Sequence, residues 1–233
     1  MSGFDPPEHG EQRPTENRSR KFMDAGNFFR RERYLAIAIS DSTIASQSPR
    51  KRNRKSELMF ATIYLPNFYL QAATHHQPQL QTKPVAVIDE KEAKAVIIQL
   101  SEAAEKAGVH KGMTPSQGLA RCLSLVVKTR AHSQEKLIDE ILLQQAFTLA
   151  PYVEATAPGV CTIQFTDNRD LAAKLSRVIE QLAECEITAQ AGIAHLPDTS
   201  FLAAHLARPV LQMDDAKEFL APLPIETLAI GIS

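Results

Sequence analysis

Apolar positions recur with two different periods after Met59 and with none before it. Between Asn168 and Cys185 the spacing is helical: Leu171, Leu175, Val178, Ile179 and Leu182 fall at i, i+4, i+7, i+8 and i+11, with Arg177, Glu180 and Glu184 on other faces. That stripe predicts a helix packed on a sheet, one that holds Tyr64 and Ile163. Short apolar runs predict strands over Ala61–Leu65, Val85–Ile88, Ala95–Leu100, Leu125–Lys128, Tyr152–Ala157, Val160–Thr166 and Thr188–Ala194. Pro158-Gly159 makes the fifth and sixth of these a hairpin. Further helices are expected over Leu70–His76, with Phe68 and Tyr69 in the turn before it, over Ser101–Ala107 closed by Gly108, and from Thr114-Pro115 to Arg121. Two more span His132–Leu149 and Asp198–Leu206, the last halted by Pro209.

A strand, an insertion, a long helix, a hairpin, a helix and a strand, in that order, predict an α+β fold. Its main layer is ferredoxin-like, with a small module of helices and strands inserted after the first strand. No internal repeat is visible. Residues 1–58 mix Pro, Ser, Asn, Glu and Arg around one short apolar stretch, Tyr34–Ile39, and are expected to be disordered. They lack the order of a secretory signal. Met59 directly precedes the first strand, so the tail reads as an extension of the reading frame and not necessarily a native start.

Composition narrows the class. The 233 residues are 44% hydrophobic and 23% charged, ordinary for a globular protein. No apolar run approaches the roughly 18 residues of a membrane span, so a soluble, cytoplasmic protein is expected. Cys122, Cys161 and Cys185 are widely spaced without a CxxC and read as thiols of a reducing compartment. Charge is uneven: residues 1–58 carry 12 Lys/Arg against 8 Asp/Glu, leaving 14 against 19 for residues 59–233, about −5. Affinity for nucleic acid comes largely from neutralising phosphates, so weak DNA binding is expected of this acidic part. The run from Arg50 to Lys55 is either a nucleic-acid tract or a solvated charge run. Six histidines follow the tail (His75, His76, His110, His132, His195, His205) without HxxxH or HExxH spacing, and no metal site is expected from them.

Three segments together carry a family resemblance. Residues 62–88, TIYLPNFYLQAATHHQPQLQTKPVAVI, resemble the opening of the Y-family (UmuC/DinB-like) translesion DNA polymerases, which reads hydrophobic-D-hydrophobic-D-x-F-F/Y, then an alanine-rich helix and K-P-hydrophobic-V-V. Laid on it without a gap, Tyr64 and Pro66 fall at the two acidic positions, Phe68 and Tyr69 at the aromatic pair, and Lys83-Pro84-Val85 at the second strand. Ala107 to Met113 resembles the family's A/F-G-V/I-x-x-G-M/I turn. Gly192-Ile193-Ala194 through Ala203 to Pro209 resembles its G-I/V-S/A…A-A/S-x-x-A-K/R-P segment. The resemblance implies a palm over 59–67 and 133–220, fingers over 68–132, and at 221–233 the start of a helix-hairpin-helix thumb, truncated where the chain ends.

The resemblance also implies a chemistry that the residues depart from. Nucleotidyl transfer uses two divalent cations held by carboxylates, and a tyrosine and a proline cannot hold magnesium. The family's S-I-D-E-A hairpin corresponds to Thr156-Ala157-Pro158-Gly159-Val160, so Pro158 and Gly159 vacate further acidic positions and Glu154 is the nearest acid. Glu102 and Glu105 stand at the tyrosine and arginine of the phosphate clamp, and Phe201 at its lysine. Phe68 and Tyr69 are either a remnant of the nucleotide pocket or rings packed between palm and fingers. Lys128, Arg130 and Arg208 are candidates for contact with DNA. Lost acids on a kept frame resemble the ImuB-like branch, whose members act as adaptors in damage-induced mutagenic repair. The implied partners are the sliding clamp, a RecA-like accessory protein and an error-prone polymerase, with binding segments beyond this chain. No cofactor is expected. Magnesium enters only under the alternative of an active translesion polymerase using Glu154, Asp167 or Asp170, and a third reading is an unrelated ferredoxin-like binding module.

Overall fold

The computed structural model describes residues 58–89, 95–167 and 169–224. The expected disordered tail up to residue 57, its basic run, and the thumb opening from residue 225 lie outside the described residues.

Two sheets organise the chain. The larger has the order β5-β6-β1-β7-β8. Its central strand β1 (Met59–Tyr64) runs antiparallel to both neighbours, β6 (Val160–Phe165) and β7 (Gln190–Ala194). Strand β5 (Tyr152–Ala157) closes the hairpin with β6, and β8 (Val210–Gln212) adds parallel to β7. Without β8, the order β7-β1-β6-β5 is the expected ferredoxin-like layer. The short strand β8 and the helix α7 (Ala216–Leu220) were not foreseen.

Side chains alternate across a strand, and β1 shows what that alternation separates. Met59, Ala61 and Ile63 are buried on one face. They meet α4 (His132–Leu149) through Ile138, Leu142 and Ala146, and α5 (Leu171–Glu184) through the expected stripe Leu171, Leu175, Val178, Ile179 and Leu182, all buried. Ile163 lies in this core. Tyr64 is in the same sheet but points to the opposite face, toward helix α6 (Pro197–Leu206).

The smaller sheet has the order β3-β2-β4. Strand β2 (Val85–Ile88), buried throughout, pairs antiparallel with β3 (Ile97–Leu100) and parallel with β4 (Val126–Thr129). Helices α2 (Glu102–Lys106) and α3 (Pro115–Arg121) start where expected. Ser101 Oγ caps the first, and a reciprocal Thr114–Gln117 capping box opens the second. Ala86, Ile97, Leu100, Ala104, Val109 and Leu125 form a separate core here. Helix α1 (Phe68–Thr74) begins two residues before the expected helix, so Phe68 and Tyr69 lie in its first turn, not ahead of it. It sits at the start of the span that the resemblance gives to the fingers, yet Phe68 and Ala72 are buried with the large sheet.

Candidate functional site

The face of the large sheet under α6 brings together Tyr64 and Phe201, two of the positions that the resemblance singled out. Helix α6 approaches β7 so closely that a Cβ on Gly192 would stand 2.2 Å from Ala204 N and 2.3 Å from Ser200 O. Beneath the helix, hydroxyls cross three strands. Thr156 Oγ1 lies 3.0 Å from Thr162 Oγ1, Thr162 Oγ1 3.3 Å from Thr62 Oγ1, and Thr62 Oγ1 2.8 Å from Ser200 Oγ. Ser200 Oγ then donates to the Pro197 carbonyl at 2.7 Å. Thr62 and Ser200 are fully buried, and the chain supplies the partners that burial demands.

Tyr64, at the first acidic position of the family pattern, stacks on His205 with ring centroids 3.9 Å apart and planes at 23°. His205 in turn meets Phe201, the residue at the lysine position, at 4.4 Å, and its Nδ1 is 2.9 Å from the Phe201 carbonyl oxygen. Burial lowers the His205 pKa against the opposing pull of that carbonyl, and burial raises the Tyr64 hydroxyl above its ordinary value. The volume between strand and helix is therefore filled by three rings that favour the neutral state.

Pro66, Pro158 and Gly159, the other positions that the resemblance sets at acids, converge on the same end of β1. Tyr64 pairs with Val160, and Leu65 N–H donates to the Gly159 carbonyl at 2.8 Å. The Pro66 carbonyl accepts from Gln71 Nε2 at 2.6 Å. Gly159 has φ +71, and a Cβ there would lie 2.7 Å from the Phe68 ring, so the hairpin turn rests on Phe68. Its N–H donates to Asp139 Oδ1 at 2.8 Å. Asp139 is a half-buried carboxylate on α4 whose pKa burial raises, Gly159 N–H lowers and Glu135 raises further. Sequence reading passed over it, although its place beside Ile138 on an amphipathic helix was the available signal. Burial also pushes the neighbouring Cys161 thiol up to about 12, so it stays protonated.

These residues do not fit a pair of magnesium ions, which need several oxygen ligands. Tyr64, Pro66, Pro158 and Gly159 supply no carboxylate, and Asp139 Oδ1 is taken by a backbone N–H. Among the substitutes considered, Asp167 and Asp170 lie beyond the end of β6 that pairs with Met59. At 3.3–3.4 Å per residue, that end is roughly 17 Å from Tyr64. Asp167 is moreover held by Arg169, which keeps its carboxyl at about 2. Glu154, opposite Thr162, shares the α6 face but is exposed on the edge strand, with β6 between it and β1.

Tyr69 lies elsewhere, under the Arg130 guanidinium, whose Cζ is 4.1 Å from the ring centroid. Arg130 bonds Glu135 through Nε at 2.9 Å and Nη2 at 2.6 Å, and Asp89 through Nη1 at 2.9 Å. His132 Nδ1 reaches Glu135 Oε2 at 3.3 Å. The first of these contacts raises the Arg130 pKa most. Burial pushes Glu135 upward, but Arg130 and then His132 outweigh it and its carboxyl is lowered. Arg130, a candidate DNA contact in sequence, thus has its charge met within the fold and offers little to a phosphate. Lys128 Nζ donates to Gln77 Oε1 at 2.9 Å, whereas Arg208 is exposed. Glu102 and Glu105 are exposed, with Glu102 paired to Lys106 on its own helix. No helix among the described residues is long and apolar enough to cross a membrane.

Comparison with known proteins agrees with this architecture. The model of the impB/mucB/samB family matches residues 63–206, more than half of the chain. DNA polymerase IV of Ralstonia nicotianae is 26% identical over 172 residues, which cover 69% of this chain and 48% of that protein. DNA polymerase IV of Acetivibrio thermocellus is 26% identical over 176 residues, 70% and 44% of the two chains. The chain spans about half the length of these relatives. Among solved structures, DinB from Sulfolobus solfataricus superposes with TM-score 0.63 at 16% identity, covering 72% of this chain and 52% of that one. The insertion ternary complex of Dbh DNA polymerase gives 0.64 at 15%, covering 72% and 53%. At such identities the likeness shows the fold alone.

Proposed function

Because the chain belongs to the impB/mucB/samB family, we propose that it serves DNA damage tolerance as a non-catalytic, ImuB-like member of the Y-family polymerase superfamily. The observation that carries this reading is the Tyr64–His205–Phe201 stack. Two positions that in an active member would bear a metal-binding carboxylate and a phosphate-binding lysine are here joined through a third ring into one apolar contact. Isolated drift at a single position would have left the other charged group in place. Pro66, Pro158 and Gly159 extend the same loss to the turn and hairpin.

In this role the chain is an adaptor in the cytoplasm that binds DNA weakly. Its partners are a sliding clamp, a RecA-like accessory protein and an error-prone polymerase that performs synthesis. Residues 59–67 with 133–220 act as palm, and 68–132 as fingers. Phe68 and Tyr69 serve packing: the first supports Gly159, the second supports Arg130. Arg208 remains available for DNA.

Glu154 is the one observation that favours catalysis, since it lies on the α6 face. A lone carboxylate on the far side of β6 does not make a two-metal site. The test is primer extension by the purified chain on primed DNA with magnesium or manganese, beside calorimetric titration with magnesium and nucleotide. No extension and no saturable nucleotide binding are expected. Extension that survives mutation of any trace contaminant polymerase but is lost in Glu154→Gln would refute the reading.

A further inference from the structure

We infer that His75, His76 and Glu186 form a binding site for a divalent transition metal of the zinc class, one that clips the C-terminal end of α1 to the turn between α5 and β7. His75 and His76 are neighbours, but Glu186 lies 110 residues further along the chain, which is why no ligand spacing announces the set. In the fold, each offers one donor atom, and those atoms all lie within 4.8 Å of one another.

His75 supplies the first argument. Its Nε2 lies 3.0 Å from the Cys185 carbonyl oxygen, an acceptor only, so Nε2 carries the proton and donates. The lone pair then resides on Nδ1. That atom is closed off from solvent and has no hydrogen-bond partner among the described residues. A histidine that donates one ring N–H to a backbone carbonyl while its other nitrogen is left free is in the state that metal-ligating histidines adopt. Without a ligand, this nitrogen is a buried acceptor left unsatisfied, which is unfavourable.

The second argument is the backbone. His76 and Glu186 both take positive φ, +59 and +61, in a region that non-glycine residues seldom occupy. Those conformations bring His76 Nδ1 to 3.5 Å from Glu186 Oε2 and set the His76 ring against His75 at 3.8 Å. Ligand atoms around tetrahedral zinc are about 3.4 Å apart, somewhat closer than the spread here. His76 and Glu186, with side chains 70% and 46% exposed, close the difference by rotation.

Two imidazoles and a carboxylate suit zinc, nickel, cobalt or copper, whereas magnesium and calcium prefer all-oxygen sites. The place also suits a clip. Gln71 of α1 already bridges this junction, donating to the Thr188 carbonyl and accepting from Thr188 N–H. A metal one turn later would fix the segment that leads from the large sheet into the smaller one. The inference is independent of whether the chain is catalytic.

The test uses the full chain after chelator treatment, titrated with zinc in competition with a chromophoric chelator, and with cobalt followed by its visible absorption. One equivalent of zinc at micromolar or tighter affinity is expected, with cobalt bands of low-symmetry coordination and a higher melting temperature in zinc. His75→Ala, His76→Ala and Glu186→Gln should each weaken binding at least about tenfold and abolish the zinc-dependent melting shift. Cys185→Ser and His110→Ala should leave both unchanged. Circular dichroism of each variant without metal, matching the parent, separates lost ligands from lost folding. Absence of stoichiometric binding would overturn the inference, and so would affinity that persists in all three variants or depends on Cys185.

Discussion

Replacing Gly192 by alanine places one methyl group where helix α6 leaves no room for it. The added Cβ would stand 2.2 Å from Ala204 N, 2.3 Å from Ser200 O and 2.6 Å from Ala203 Cβ. Two of those atoms are backbone, so no side-chain rotation relieves the contact and the helix must lift by about 1 Å to restore ordinary separations. Overpacking of a tight core costs about 1–3 kcal/mol, and the upper end applies where backbone must move. Lifting α6 also breaks the 2.8 Å Thr62–Ser200 contact and strands buried hydroxyls, worth about 1–3 kcal/mol more. The sum, about 4–6 kcal/mol, is a large part of the 5–15 kcal/mol typical of a domain. Gly112→Ala is the control. It has φ +83 and none of the described residues within 4 Å of an added Cβ, so it carries only the left-handed backbone penalty of about 1–2 kcal/mol. Urea unfolding followed by circular dichroism measures both, with an unchanged slope validating the comparison. If Gly192→Ala lost no more stability than Gly112→Ala, the account of α6 seated directly on β7 would be wrong.

Three further outcomes are expected. Leu175→Ala, fully buried between α5 and the sheet, should cost about 2–5 kcal/mol in the same assay, and a loss below 1 kcal/mol would contradict its place in the core. Asp139 has a raised folded-state pKa, so its favourable contribution is complete below the ordinary carboxylate range and is lost as pH rises through the folded value. Asp139→Asn keeps an acceptor for Gly159 N–H without ionising; its stability relative to the parent should therefore climb as pH rises above the ordinary carboxylate range, and a flat or falling difference would refute the burial argument. The double variant Tyr64→Asp, Pro66→Asp should not extend a primer, because the hairpin still lacks acids and Phe201 still stands at the lysine position; any templated synthesis would show that less of the site is missing.

Sequence pattern revealed elements wherever a local device marked them. Helix α4 begins and ends at His132 and Leu149 as expected, and Pro158-Gly159 gave the hairpin its turn. The caps at Ser101 and Thr114 likewise announced α2 and α3. Strand β8 was missed because three residues carry no period, and its support comes from distant elements, through pairing with β7 and packing of Val210 and Leu211. The start of α1 slipped by two residues because Asn67, which precedes it, is left-handed and gives no side-chain capping bond. At the site, order along the chain singled out Tyr64, Pro66, Pro158 and Gly159, but which side chains surround them was not legible. Tyr64, Phe201 and His205 meet only when α6 folds over β1, and Arg130, which has Glu135 close by in sequence, finds Asp89 only through tertiary packing. The His75–His76–Glu186 cluster needs the same kind of distant approach.

The ring stack under α6 also bears on which evolutionary steps are open to this chain. A carboxylate arriving at position 64 alone would lose the stacking Tyr64 now makes and would lie half buried beside Phe201 and His205, a ring that burial favours in its neutral form. A lysine arriving at position 201 alone would lose its ring contact with no phosphate or acid in return. Each first step lowers stability before any second step can make use of it. The three rings therefore act as a ratchet: the surface can vary freely, but single substitutions toward an acidic pocket are disfavoured.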